Sequence, residues 1–183
     1  MKKPIPLRPR RGDWAEVRFL ERAIAHGLTV SKPWGNARYD FLVECGAAAP
    51  GCAPRPQQNI FNGTHTAISR VQVKATTSGV NGLYHANIAR RRPYLSPGSQ
   101  PYSAAEIDFF ALYVIPADAW YIVPIAAVAK LKTGIRLNPN NPRNKWFPYL
   151  EAWRLLHAPA ASQISPSGRQ KIAQDVSPGV GMY

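Results

Sequence analysis

One stretch of the sequence alternates apolar and polar residues so regularly that it constrains the fold. Residues 67–75, AISRVQVKA, predict a β-strand, because successive side chains of a strand point to opposite faces of the sheet. The apolar face carries Val71, Val73 and Ala75, and the polar face carries Arg70, Gln72 and Lys74. A lysine on a largely buried strand is unusual unless it has an anionic neighbour.

The other periodicities place this strand in an α/β domain. A helix is predicted over residues 13–26, capped by Asp13 and ended by Gly27, with an apolar face of Trp14, Val17, Leu20, Ala23 and Ile24. Strands are predicted at 28–31, 39–44, 83–88, 107–115 and 120–123, and a short helix at 125–131. Residues Trp146, Tyr149, Leu150, Trp153 and Leu156 recur at helical spacing and predict a final amphipathic helix. This order predicts a central mixed β-sheet flanked by helices.

The 183 residues suit one domain with two irregular ends. Residues 1–11 form a basic extended arm with five positive charges and three prolines, and residues 12–157 form the domain. Residues 46–66 are a long insertion, and residues 158–183 a disordered tail rich in Pro, Ser and Ala. No apolar run approaches the roughly 20 residues of a membrane span. We expect a cytoplasmic protein with Cys45 and Cys52 as free thiols, a local disulfide between them being the alternative.

The charge balance indicates a polyanionic partner. The chain has 23 Lys and Arg against 10 Asp and Glu, a net charge of +13, and nucleic acid is the usual partner of such a chain. Ribosomal proteins, DNA-binding folds and nucleases all share this composition. The candidate nucleic-acid contacts are Arg11, Lys32, Trp34, Arg38, Arg70, Arg90, Arg91 and Arg92. For Trp34, packing in the core is the alternative to stacking on a base.

Four residues have the chemistry of a site for a hard divalent cation. If the strand at 39–44 pairs with the strand at 67–75, Asp40 faces Gln72 and Lys74. The first helix adds Glu16, so that two carboxylates and an amide oxygen form an oxygen cage for the cation, with the Lys74 ammonium beside it. Magnesium takes oxygen ligands, and phosphodiester hydrolysis needs both an activated water and a stabilised anionic transition state.

Each of these residues also has a structural interpretation. Lys74 is expected to blunt the edge of a sheet if its strand lies there. The structural alternative for Asp40 is a turn residue. For Glu16 it is a capping box or an ion pair with a neighbouring arginine.

The sequence resembles the PD-(D/E)xK nuclease superfamily, in its group I intron-associated branch, which is similar to Holliday-junction resolvases. The resemblance is carried in order by residues 11–16 (RGDWAE), 27–30 (GLTV), 33–36 (PWGN), 39–40 (YD) and 71–74 (VQVK). Weaker likeness follows at 106–110, 120–124 and 151–153, so the resemblance covers about residues 11–157. It implies a restriction-endonuclease-like core.

The resemblance also implies roles for individual residues. Asp40 corresponds to the metal-binding aspartate, Lys74 to the motif lysine and Glu16 to the assisting helix acid, while Val73 lends a backbone carbonyl to the metal. Gln72 stands where most members of the superfamily have Glu or Asp. A neutral amide still binds a metal ion but removes one negative charge from the site.

The sequence therefore predicts a DNA endonuclease that depends on Mg²⁺ or Mn²⁺, and the resemblance implies a dimer or tetramer. Homing, restriction and junction-resolving activities all stay open. A catalytically inactive nucleic-acid-binding protein with the nuclease fold is the alternative that Gln72 favours. A basic structural protein of a ribonucleoprotein is a third interpretation.

Overall fold

The computed structural model describes residues 11–45, 68–91 and 99–157. The predicted arm up to residue 10, the 46–66 insertion and the 158–183 tail lie outside the described residues, as do Arg92, Cys52 and the side chains of Cys45 and Arg91. None of the helices within the described ranges is both long and apolar enough to span a membrane.

Helix α1 (Arg11–Ala25) precedes all the described strands. These are β1 (Leu28–Ser31), β2 (Phe41–Cys45), β3 (Ile68–Thr76), β4 (Gly79–Val80), β5 (Leu83–Asn87), β6 (Ala89–Arg91), β7 (Ser99–Pro101), β8 (Phe109–Val114), β9 (Ala119–Pro124) and β10 (Gly134–Leu137). The short helix α2 (Ile125–Val128) follows β9, and 3₁₀ turns occupy Ile115–Ala117, Phe147–Tyr149 and Trp153–His157. The strands predicted from the sequence are confirmed to within two residues at each end.

The main sheet has five strands in the order β1-β2-β3-β8-β9. Strands β3 and β8 pair in parallel and the other neighbours are antiparallel, so the sheet is mixed as predicted. Strands β10, β5 and β4 form a separate antiparallel sheet, and β6 pairs with β7. All six residues of β8 are buried, as expected for a central strand covered on both faces.

Alternation along the strands divides the interior into two cores. Phe109, Ala111 and Tyr113 of β8 face a core shared with α1 and the last 3₁₀ turn, Trp153–His157. Phe110, Leu112 and Val114 face a second core, which the β10-β5-β4 sheet covers. The polar side of β3, with Gln72 and Lys74, therefore lies on the face of the second core, beside the part covered by the small sheet.

Helix α1 buries a different face from the predicted one. Ala15, Phe19 and Ala23 are fully buried, whereas Trp14 (47% exposed), Val17 (60%) and Ile24 (59%) face solvent. The two alanines let the helix approach the sheet closely, and the Phe19 ring lies within 6 Å of Phe41, Trp120 and Trp153. Packing of the Phe19 ring thus determines which face of α1 is buried, although the predicted apolar stripe is wider.

The predicted amphipathic helix near the C-terminal end of the domain is wrong. Two 3₁₀ turns replace it, because Leu150 is extended and bridges Tyr121, and Glu151 has a positive φ of 47°. The Glu151 backbone amide donates to the Trp120 carbonyl at 2.8 Å, and its carboxylate accepts the Trp120 amide at 2.7 Å. These bonds hold the chain against β9 and stop a continuous helix, although Trp146 and Trp153 are buried as core residues in the way expected.

Candidate active site

Asp40 lies immediately before β2, where the chain enters the sheet beside β3. Its backbone amide donates to the Val71 carbonyl at 2.9 Å. Its Oδ2 accepts a hydrogen bond from the Val73 amide at 2.7 Å and one from Gln72 Nε2 at 2.5 Å. The predicted juxtaposition of Asp40 with Gln72 is therefore present, with the amide nitrogen of Gln72, not its oxygen, turned towards the carboxylate.

The environment of Asp40 disfavours its negative charge. Burial raises the pKa of Asp40, the Val73 hydrogen bond opposes that rise, and the nearby charge of Glu16 adds to it. Among the described residues, Asp40 Oδ1 and Gln72 Oε1 accept no hydrogen bond. The site thus holds a half-buried acid. Two oxygen atoms, one from Asp40 and one from Gln72, are available to a cation.

Lys74 stands beside this acid without forming an ion pair with it. Its Nζ lies 3.5 Å from the Tyr102 hydroxyl and 5.5 Å from the centre of the Tyr102 ring. Burial lowers the pKa of Lys74, and the charge of Asp40 opposes that shift. Lys74 is therefore an interior lysine of the central sheet and not a residue that blunts an exposed sheet edge.

Glu16 reaches the same region from the first turns of α1. Its carboxylate pairs with Lys32 Nζ at 2.6 Å, and its charge acts on Asp40. Lys32, whose pKa this hydrogen bond raises, follows β1 directly. The structure thus brings together Glu16, Asp40, Gln72, Val73 and Lys74 from three separate parts of the chain.

Tyr102 is a member of the site that sequence reasoning missed. Burial raises its pKa, so the hydroxyl is protonated at neutral pH. It lies 28 positions from Lys74 in sequence, and the only sequence signal was an aromatic residue shortly before the acidic pair Glu106 and Asp108.

A fork of hydrogen bonds fixes the segment that carries Tyr102. Arg70 Nε and Nη2 each donate to a different oxygen of Asp108 at 2.9 Å, and the Arg70 backbone amide donates to Oδ2 at 2.8 Å. The same guanidinium donates to the carbonyls of Ala104 and Ala105. Arg70 was predicted to contact nucleic acid, but its donors are engaged by the protein, and it ties the 102–108 segment to β3.

The predicted nucleic-acid contacts fall into three groups. Lys32 and the fully exposed Trp34 lie on the loop between β1 and β2 that ends at Asp40. Arg38 and Arg90 approach Glu106 at 3.8 and 4.0 Å, and the charge of each acts on Tyr102. Arg11 donates to the Thr77 hydroxyl at 2.9 Å, just after β3. Cationic groups therefore surround Asp40 and Lys74 on several sides.

The fold and this cluster define a nuclease of the restriction-endonuclease-like class. A family model described as PD-(D/E)XK endonuclease matches residues 60–156, more than half of the chain, and the chain belongs to this family. The matched range includes Gln72 and Lys74, whereas Glu16 and Asp40 precede it. Enzymes of this family generally use divalent metal ions.

A solved structure agrees with the family. The chain is similar to the bacterial homing endonuclease I-Ssp6803I, with 25% identity and a TM-score of 0.61. The similarity covers 83% of this chain and 94% of that protein. No curated protein sequence matches the chain.

The residues at the site fit a divalent cation. Asp40, Glu16, Gln72 and the Val73 carbonyl are all oxygen donors, the type that Mg²⁺ and Mn²⁺ prefer. A cation beside Asp40 would offset the unfavourable burial of its charge. Within the described ranges no three His, Cys, Asp or Glu side chains cluster, which is consistent with an amide standing in place of an acid at position 72.

Proposed function

We propose that this chain is a DNA endonuclease that hydrolyses phosphodiester bonds with Mg²⁺ or Mn²⁺. The observation that carries the proposal is the half-buried Asp40 carboxylate bonded to Gln72 and Val73 beside the half-buried Lys74. The net charge of +13 favours a polyanionic substrate. The likeness to a homing endonuclease favours homing over restriction or junction resolution.

Each residue has a role that follows from its atoms. Asp40, Glu16, the Gln72 amide oxygen and the Val73 carbonyl would hold the metal ion, which supplies an activated water and offsets phosphate charge when bound. Lys74 orients the attacking water and stabilises the extra negative charge on the phosphoryl oxygens in the transition state. Water oxygen forms a new bond to phosphorus and releases a proton to solvent, the bond to the leaving sugar oxygen breaks, and that oxygen takes a proton from solvent.

The residues around the centre hold the substrate. Arg38, Arg90, Lys32 and Arg11 contact phosphates, and Trp34 stacks on a base or sugar. Arg70 acts indirectly, because it positions the segment that carries Tyr102 and Glu106.

We also propose that the enzyme is a homo-oligomer, a dimer or a tetramer. The support is the outward face of α1, where Trp14, Val17 and Ile24 are each about half exposed or more. An apolar stripe of this kind on a surface helix is a common feature of helix–helix contacts between subunits.

Gln72 favours one alternative, a nucleic-acid-binding protein without activity. A neutral side chain at this position weakens metal binding, and a site without metal does not hydrolyse DNA. Both functions predict salt-sensitive binding to DNA, so only cleavage separates them.

The experiment is a cleavage assay on supercoiled plasmid, single strands and a four-way junction, with Mg²⁺, Mn²⁺ or EDTA. The full chain is compared with Lys74→Ala, Asp40→Asn and the control Lys130→Ala, which removes an exposed lysine. Cleavage that requires metal and is lost only in the first two variants supports the proposal. Binding without cleavage of any substrate, with either metal, supports the inactive alternative.

A further inference from the structure

The β10-β5-β4 sheet has two faces of different chemistry. Its inner face carries Tyr84, Ala86, Ile135 and Leu137, which pack on the second core. Its outer face exposes Leu83, His85, Asn87 and Arg136. The register places Arg136 directly opposite His85 and Gly134 opposite Asn87, so the exposed polar side chains form one compact group.

Two local features shape the outer face, a tight turn and a close contact between His85 and Gly134. Asn81 and Gly82 form the two-residue turn between β4 and β5, both with positive φ (53° and 76°), which suits a tight hairpin. The His85 ring lies so close over Gly134 that a Cβ there would meet its Nε2 at 2.6 Å. Gly134 therefore makes room for the imidazole and helps to hold its orientation.

The outer face forms an open groove with mixed polar and apolar walls. Val80, Leu83, His85 and Arg136 are among the residues that line this groove, which has a volume of about 330 Å³. Arginine donates to guanine in the major groove, and apolar side chains contact the methyl group of thymine. Phosphate contacts do not require exposed apolar side chains, so Val80 and Leu83 favour a contact with base edges.

The charge of this region is positive and lacks acidic partners. No Asp or Glu occurs between residues 77 and 105 or between residues 119 and 150. Within the described part of the chain, the Arg136 guanidinium has no hydrogen bond or ion pair, whereas Arg18, Arg22, Arg38, Arg70 and Arg90 all pair with acids. The donor fork of Arg136 is therefore available to an external acceptor.

The groove is tied to the strand that carries Lys74. Thr76 follows Lys74 by two residues on the same face of β3, a spacing of about 7 Å. Its hydroxyl donates to the His85 carbonyl at 2.7 Å. The small sheet therefore adjoins the strand that carries Lys74, and a major groove about 12 Å wide admits an antiparallel β-ribbon of this kind.

We propose that the outer face of the β10-β5-β4 sheet reads base edges in the major groove of the DNA substrate, with Arg136 contacting a guanine. This inference rests on the proposed function and deepens it, since it assigns sequence specificity to a surface apart from the catalytic residues. His85 and Asn87 are polar neighbours on the same ribbon, and Val80 and Leu83 provide the apolar contact.

The test is a binding selection from a duplex library with a randomised centre, using the full chain in EDTA so that cleavage does not interfere. The variants are Arg136→Ala and Arg136→Lys, which keeps the charge but loses the guanidinium fork. Arg154→Ala is the matched control, because Arg154 is exposed on the other side of the main sheet. The salt dependence of binding to an unselected duplex is measured for each protein.

We expect the full chain and Arg154→Ala to select the same bases. Both Arg136 variants should lose about 10- to 100-fold of the preference at one guanine, or at two positions related by symmetry. Arg136→Lys should keep its affinity for the unselected duplex, which shows that the loss is not one of folding or charge.

Two results overturn the inference while leaving the proposed function intact. One is an unchanged base preference in both Arg136 variants, with weaker binding and a salt slope reduced by about one in Arg136→Ala, which identifies a phosphate contact. The other is a full chain that cleaves plasmid with metal but selects no bases. A full chain that neither binds DNA nor cleaves it overturns both the inference and the proposed function.

Discussion

Gln72 Nε2 donates a hydrogen bond to Asp40 Oδ2 at 2.5 Å, so an amide donor occupies the position at which most of the superfamily carries an acid. This bond compensates part of the cost of burying Asp40, whose pKa burial raises. The amide thus stabilises the buried carboxylate, and among the described residues its oxygen accepts no hydrogen bond.

Replacing this amide by an acid should lower the stability of the metal-free protein and raise its affinity for metal. Gln72→Glu removes the donor and places a second negative charge against Asp40, so we expect a loss of about 1–3 kcal/mol in the free energy of unfolding in EDTA. Mg²⁺ should restore more stability to the variant than to the parent protein. Thermal denaturation with EDTA or Mg²⁺ checks this, and equal metal responses of the two proteins would contradict it.

The ring of Tyr102 should contribute more to the cleavage rate than its hydroxyl does. Tyr102→Phe keeps a ring over the Lys74 ammonium. Tyr102→Ala removes the ring and so exposes the ammonium to solvent. A cation–π contact contributes about 0.5–2 kcal/mol, so the single-turnover cleavage rate should fall about 3- to 30-fold in Tyr102→Ala and less in Tyr102→Phe. Equal loss in both variants would assign the effect to the hydroxyl.

The Arg70–Asp108 fork should make stability depend on pH. Burial alone would raise the pKa of Asp108, but the hydrogen bonds from Arg70 outweigh it and leave that pKa below its ordinary value. The fork therefore stabilises the fold above the unfolded pKa, about 4, and this contribution is lost as pH falls through the lower folded value.

Urea denaturation at several pH values measures this contribution. Asp108→Asn should lose about 1–3 kcal/mol at pH 7 and show a weaker decline in stability below pH 4. Glu21→Gln, which breaks an exposed ion pair with Arg18, is the control and should cost less than about 1 kcal/mol. An Asp108→Asn curve parallel to that of the parent at every pH would refute the assignment.

A charge on the outward face of α1 should separate the subunits. Ile24→Glu places a carboxylate in the exposed apolar stripe, and we expect sedimentation to show a smaller species than the parent. Ala126→Glu, a similar change at an exposed position of α2, should leave the mass unchanged. A monomeric parent would rule out the proposed oligomer.

Trp34 should contribute to DNA affinity without contributing to stability. Its side chain is fully exposed, so Trp34→Ala removes no packing from the core. Stacking on an unpaired base is worth about 1–3 kcal/mol, so the dissociation constant for single-stranded DNA should rise about 5-fold or more in Trp34→Ala. Trp34→Phe should recover most of the affinity in the same titration, and an unchanged constant in Trp34→Ala would contradict stacking.

The alternation of β3 determined much of the site from sequence alone. A strand has a period of two, so Gln72 and Lys74 had to share a face, and pairing with the preceding strand, which Asp40 leads into, brought Asp40 to them. Local signals of this kind also placed the strands and the start of α1. They rely on spacing along one chain segment, which the sequence displays directly.

Tertiary packing decided the rest, because it depends on residues that are distant in sequence. Only the assembled core determines that Phe19 and two alanines of α1 face inward, and that Glu151 holds Trp120 and interrupts a helical pattern. Only the folded chain turns Arg70 towards Asp108 and brings Tyr102 to Lys74. The sequence indicated candidate residues for the chemistry, and tertiary structure determined which partners position them, since a hydrogen bond across the fold leaves no periodic mark in the chain.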